Sequence, residues 1–161
     1  MIGRYDKLIE LLIKKGLTLS CAESCTGGLV SKSITDISGV SAVFYGGVVS
    51  YDNLVKKNLL GVSDMTLASY GAVSSKTAVE MAMGVCRACG TRVGLSTTGI
   101  AGPSGGTPEK PVGTVYIGIC IDGSTDWKLL NIDPSLSREK IREEATRLLC
   151  EFAIDKIEQS T

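Results

Sequence analysis

The stretch LTLSCAESCTGGLVSKSITDI, residues 17–37, decides the fold. Its opening, Leu17–Ala22, is short and largely apolar, the pattern of a buried strand. Gly27 and Gly28 then punctuate the chain, and 27–37 carries helical spacing until Ser38 and Gly39 end it. A buried strand running through a tight junction into a helix is the building unit of an α/β fold. The junction itself, AESCTGG at 22–28, sets Ser24, Cys25 and Thr26 in succession. A turn needs the glycines but not three side chains able to do chemistry.

Outward from this unit the alternation continues. Tyr5, Leu8, Ile9 and Leu12 mark one face of a helix over 4–15, ended by Gly16. FYGGVVSY (44–51) predicts a strand whose glycine pair marks a bulge, and NLVKKNLL (53–60) a short helix stopping at Gly61. Ser63 is placed to cap a helix through Tyr70. A longer helix over 75–89 presents Val79, Ala82, Met83 and Cys86 on one face, with Gly90 beyond its end. RVGLSTT (92–98), GTVYIGICI (113–121) and DWKLLNI (126–132) predict strands, the last two joined by DGST as an antiparallel hairpin. The final helix begins near Ser137 and buries Ile141, Ala145, Leu148 and Phe152. The expectation is one domain, 1–161: a three-layer α/β/α sandwich with a mixed, mainly parallel sheet.

Composition narrows the function. The chain has 161 residues, 43% hydrophobic and 21% charged, ordinary values for a globular protein. Lysines and arginines balance acids at 17 each, with no basic block to follow a phosphate backbone, so nucleic acid is not an expected partner. Charges interrupt the N-terminal segment, and no apolar run approaches the roughly 20 residues of a membrane span. A soluble, cytoplasmic protein with no membrane partner is expected. Histidine is absent, which removes Ser-His-Asp triads, Cys-His pairs and histidine metal ligands.

Three polar, glycine-bearing segments, 22–28, 46–56 and 97–113, follow or enclose strands, where open α/β sheets bind ligands. Ser24 is either a nucleophile or a cap for the helix that follows. Without histidine its natural base is a lysine of lowered pKa, and Lys56 and Lys57 both follow a strand. Either could equally be a solvated lysine on a short amphipathic helix. Tyr51 could tune such a lysine or sit half-buried in the core. CAESC and CRAC raise zinc as a rival, although Cys86 falls on an apolar helix face, and Cys25 as a thiol nucleophile would lack a histidine to ionise it. TTGIAGPSGG (97–106) suits a phosphate or ribose cradle but lacks the lysine of a P-loop, and its bland alternative is a stiff surface loop. Arg138 opposes the dipole in the first turn of the last helix, which makes sense if it holds an anionic ligand.

Taken together, AESCTGGLVSKSITDISGVSAVFYGGVVSYDNLVKKNLLGV, GAVS, TTGIAGPSGGTPEKPVGTVYIG and SREKIR resemble the C-terminal domain family of the competence-damage protein CinA. Such domains occur alone or after a molybdopterin-binding-like domain, and a methionine just before the first helix resembles the stand-alone form. The resemblance implies a metal-independent, cofactor-free Ser/Lys hydrolase, commonly a homo-oligomer, acting on nicotinamide mononucleotide (NMN) in pyridine nucleotide salvage. It implies Ser24 as nucleophile, Lys56 rather than Lys57 as general base and Tyr51 as its assistant. Cys25, Thr26, Gly27 and Gly28 would supply oxyanion and substrate contacts from backbone N–H groups, with the first turn of the 27–37 helix and the 99–106 loop holding ribose and phosphate. Asn53, Thr98, Gly99, Ala101, Gly102, Gly105, Gly106 and Arg138 would complete the site, with Thr98 a second oxyanion donor. The family often has Gly-Asp-Arg before the last helix where this chain has DPSLSR, which leaves Arg142 as the alternative to Arg138. A non-catalytic nucleotide-binding or regulatory module of the same fold is the other class of answer.

Overall fold

The computed structural model describes residues 4–160; Met1, on which the stand-alone expectation rests, lies outside them. Strand β1 (Leu19–Glu23) is buried along its whole length because it has a parallel neighbour on each side. These are β2 (Phe44–Val49) and β3 (Val93–Gly99). Next to β3, strands β4 (Thr114–Ile121) and β5 (Ser124–Asn131) run antiparallel, giving the order β2-β1-β3-β4-β5. The sheet is mixed, as the short 122–125 connection required. That connection is tighter than DGST, because Asp122 (φ 49°) and Gly123 (φ 86°) alone make the turn. Two successive left-handed residues match the right-handed twist of the strands they join. The expected bulge in β2 is also present, as a register shift in which Leu19 pairs with Phe44 and Ser20 with Gly46.

Helices α1 (Tyr5–Lys15), α2 (Leu29–Thr35) and α6 (Arg138–Gln159) cover one face of the sheet. The other face carries α3 (Asn53–Leu60), α4 (Asp64–Tyr70) and α5 (Ser75–Cys89). The main core lies under α1 and α6, where Leu8, Leu12, Leu95, Ile117 and Leu149 are sealed from solvent. A smaller cluster of Ala22, Leu60, Val62, Met81 and Val85 joins α3 and α5 to the sheet. Side-chain oxygens cap the starts of four helices, at Asp52, Ser63, Ser74 and Ser137.

Three expectations need correcting. Helix α2 is shorter than 27–37, since Gly27 (φ 55°) and Gly28 (φ 105°) are left-handed and hold its start back to Leu29. The buried face of α5 is rotated from the expected one, running through Ala78, Met81, Ala82 and Val85, while Met83 is 36% exposed. Gly84 explains the rotation: a Cβ there would run into the Leu60 carbonyl, so α5 lies hard against the end of α3 as well as on the sheet. In α6 it is Leu149 that is fully buried, with Leu148 packed at the core's margin.

Candidate active site

Strands β1, β2 and β3 end side by side, and their carboxyl ends assemble the site. At the end of β1, the Ser24 N–H donates to Thr97 O (3.0 Å), extending the β1–β3 ladder by one rung and fixing where the serine stands. The end of β2 leads through Ser50 and Asp52, the N-cap of α3, and so delivers Lys56 to the same place. Lys56 Nζ lies 3.0 Å from Ser24 Oγ and donates to Ser50 O (2.8 Å) and Tyr51 O (3.2 Å). The lysine is 1% exposed. Burial lowers its pKa from the usual 10.5, opposed by the negative charge of Asp52. In the neutral amine two N–H groups satisfy the two carbonyls, and the lone pair is left facing Ser24. Lys57 instead pairs with Asp64 at the surface (2.8 Å), so geometry separates two lysines that spacing could not.

The turn after Ser24 is held from within by Glu23, which is 1% exposed. One carboxylate oxygen accepts from Thr26 Oγ1 (2.6 Å), Gly28 N (3.2 Å) and Val30 N (2.8 Å). The other accepts from Ser31 N (2.9 Å) and Ser31 Oγ (2.8 Å). Thr26 Oγ1 gives its only hydrogen to Glu23, so the Thr97 hydroxyl donates to Thr26 (2.8 Å). The amides that open α2 are therefore already occupied. Ser24 is not their cap, and the first turn of α2 is not the anion-binding element. Gly27 N closes the turn on Ser24 O (3.1 Å), whereas the N–H groups of Cys25 and Thr26 have no backbone or side-chain carboxylate acceptor among the described residues. Burial raises the Cys25 thiol to about 12, which keeps it protonated and unsuited to act as a thiolate nucleophile.

These groups open into a cavity of about 350 Å³. Ser24, Cys25, Tyr51, Asn53, Lys56, Thr98, Gly99, Ala101, Gly102, Gly105 and Arg138 all line it, as do Ile100 and Ser104 of the expected loop cradle and, not singled out from the sequence, Ala72 and Val73. Thr26, Gly27, Gly28 and Gly106 do not; Gly106 packs against Val112, where a Cβ would meet the backbone nitrogen at 2.8 Å. Thr98 donates its one hydroxyl hydrogen to Ala72 O (2.6 Å), so it fastens the cavity wall rather than serving as a second oxyanion donor. The Tyr51 ring is 61% exposed and its hydroxyl accepts from Arg138 Nη2 (2.8 Å). Tyr51 reaches Lys56 through its carbonyl alone. Arg138 also donates to Gly102 O (2.7 Å), at the rim of the cavity. Arg142 points elsewhere, to the Cys25 and Thr26 carbonyls behind the turn. The CAESC and CRAC thiols do not assemble: among the described residues no group of three or more Cys, Asp or Glu could hold a metal ion.

The model of the CinA C-terminal domain matches residues 4–160. The chain belongs to the CinA C-terminal domain family. It is 51% identical over 145 residues to a CinA-like protein of Kosmotoga olearia, covering 90% of this chain and 35% of that one. A CinA-like protein of Dictyoglomus turgidum is 52% identical over 137 residues, covering 85% and 33%. The chain thus spans about a third of the length of these relatives. Among solved structures, the competence/damage inducible protein CihA of Agrobacterium tumefaciens superposes with a TM-score of 0.90 at 37% identity, covering 96% of this chain and 93% of that one. The competence damage-inducible protein A of Klebsiella pneumoniae gives 0.93 at 29%, covering 98% and 96%.

In this CinA domain the cations around the site share one property. Lys110, Arg138 and Arg142 all donate to carbonyls or hydroxyls, and none joins the ion pairs found among the described residues. Lys110 Nζ binds Val73 O (2.6 Å) and Tyr70 O (3.1 Å), tying the glycine-rich loop to the wall opposite. A larger cleft of about 620 Å³ lies at the other end of the sheet, between Lys15, Arg92, Asp126 and Lys156. There Arg92 and Lys156 are paired with Asp122 and Asp126, and only Lys15 rests on carbonyls without an acid, so that end carries less excess positive charge. No helix among the described residues is long and apolar enough to cross a membrane.

Proposed function

We propose that this CinA domain is a Ser/Lys amidohydrolase that converts NMN and water to nicotinic acid mononucleotide and ammonia. The buried contact between Ser24 and Lys56 carries the proposal. A lysine at a surface would be protonated and useless as a base at neutral pH; one with its pKa lowered by burial can take the Ser24 proton. Ser24 Oγ then attacks the carboxamide carbon, and the N–H groups of Cys25 and Thr26, left without backbone acceptors among the described residues, take the developing oxyanion. Lys56 returns the proton to departing ammonia, and water, deprotonated in turn by Lys56, releases the acid from the acyl-serine.

The substrate assignment draws on the cavity. Ala72, Val73, Ile100 and Ala101 offer a small apolar wall for a pyridine ring. Three cations outside any ion pair, Lys110, Arg138 and Arg142, concentrate positive charge at one end of a chain with no net charge, which suits a phosphate-bearing ligand. Arg138 and the loop around Ser104 and Gly105 take the anion-holding role left open by α2. The test is ammonia release from NMN by purified protein in the presence of a chelator. Wild type turns over, while Ser24→Ala and Lys56→Met fall by a factor of about 10³ or more. Wild type that binds NMN without hydrolysing it establishes the non-catalytic module instead.

A further inference from the structure

Arg142 is the one arginine near the site that turns its back on the cavity. From α6 it reaches the nucleophile turn, with Nε 3.1 Å from Cys25 O and Nη2 2.8 Å from Thr26 O. Successive carbonyls of a single turn are thus held on one planar guanidinium, whose fork of donors suits two fixed acceptors. In a trans peptide the N–H points opposite to the carbonyl of the same unit. Holding Cys25 O on the α6 side therefore turns the Thr26 N–H away from Arg142. Holding Thr26 O likewise aims the Gly27 N–H at Ser24 O, where it is found (3.1 Å). A cation on these carbonyls also draws charge through the amides and makes their N–H groups stronger donors. Gly27 accommodates the arrangement: it is left-handed (φ 55°), and a Cβ there would sit 3.1 Å from Arg142 Nη2.

We infer that Arg142 is a positioning residue, which sets the orientation and polarity of the peptide joining Cys25 to Thr26, whose Thr26 N–H serves in oxyanion binding, and makes no contact with substrate. The inference rests on Ser24 being the nucleophile but not on the identity of the amide. Its test uses a small fluorophosphonate, which reports on the serine without any pyridine nucleotide. Ser24 Oγ forms a bond to phosphorus, fluoride leaves, and the serine proton passes to Lys56. The phosphoryl oxygen, which gains negative charge as the bond to serine forms, stands where the oxyanion would.

The labelling rate of the full chain is measured against pH for wild type, Arg142→Lys and Arg142→Met. Arg142→Met lowers the high-pH plateau by roughly 10–100-fold, less than removal of an oxyanion donor outright, and leaves the pH midpoint set by Lys56 in place. Arg142→Lys, with a charge but no fork, falls in between and carries the test should Arg142→Met fail to fold. With NMN the same variants lower kcat while KM stays within about twofold. A plateau within twofold of wild type overturns the inference. So does a moved midpoint with an unchanged plateau, which would assign Arg142 to the base. Wild type that is not labelled at Ser24 removes the nucleophile and this role with it. Wild type that is labelled yet leaves NMN intact refutes the substrate assignment alone, and the labelling rates still decide Arg142.

Discussion

Replacing Glu23 by glutamine keeps the shape of the side chain and changes only what it can accept. The carboxylate takes five hydrogen bonds, three from backbone N–H groups and two from hydroxyls. The amide keeps one oxygen, best placed against Thr26, Gly28 and Val30, and turns its NH₂ toward Ser31. The Ser31 hydroxyl can rotate to accept, but its backbone N–H cannot. At 1% exposure no water replaces the lost acceptor. An orphaned buried N–H costs about 1–3 kcal/mol. The three bonds that remain lose their ionic character, at about 0.5 kcal/mol each. The sum is about 3 kcal/mol, equivalent to a fall of roughly 6–12 °C in Tm for a domain of this size. Urea unfolding followed by far-ultraviolet circular dichroism measures it, since the loss should change the midpoint and not the slope. A loss below about 1 kcal/mol, or a gain, would refute the reasoning. It would mean that burying the charge costs as much as its five donors return.

Two further outcomes concern the chemistry. Because burial lowers the Lys56 pKa and the neutral amine is the base, kcat/KM for NMN rises as pH climbs through that pKa, below 10.5, and then levels off. A pH–rate profile that falls across the same range contradicts the assignment. Arg138→Met removes the cation at the cavity rim but leaves Ser24 and Lys56 untouched. It raises KM by roughly tenfold with a smaller effect on kcat, read from initial rates of ammonia release; a change confined to kcat would place Arg138 in the chemical step.

Much of this architecture is legible in the sequence because the signals are local. The α1 face and the β4–β5 hairpin depend on spacing and turn chemistry within a few residues, and both appear as expected. The α5 face is illegible for the opposite reason: its rotation is set by Gly84 against Leu60, a contact between elements that no periodicity contains. The site divides in the same way. Ser24 stands out by its junction, and Lys56 is separated from Lys57 only by family resemblance until α3 is seen in place. Glu23 lies within the motif that drew attention, yet an acid inside an apolar strand does not say which amides it will meet. Arg138 and Arg142 sit one turn apart on α6, but their partners are 36 and 116 residues away, so only the folded chain assigns one to the rim and the other to the turn.

That the site's cations rest on dipoles and not on carboxylates has a consequence for how the molecule responds to its solution. A salt bridge cancels its own field at a distance; a guanidinium on a carbonyl does not. The field of Lys110, Arg138 and Arg142 therefore extends into solvent until mobile ions screen it, over about 8 Å at physiological ionic strength. Capture of an anion is then the step that salt slows. In the proposed reaction, proton transfer from Ser24 to the buried Lys56 is expected to respond far less to salt.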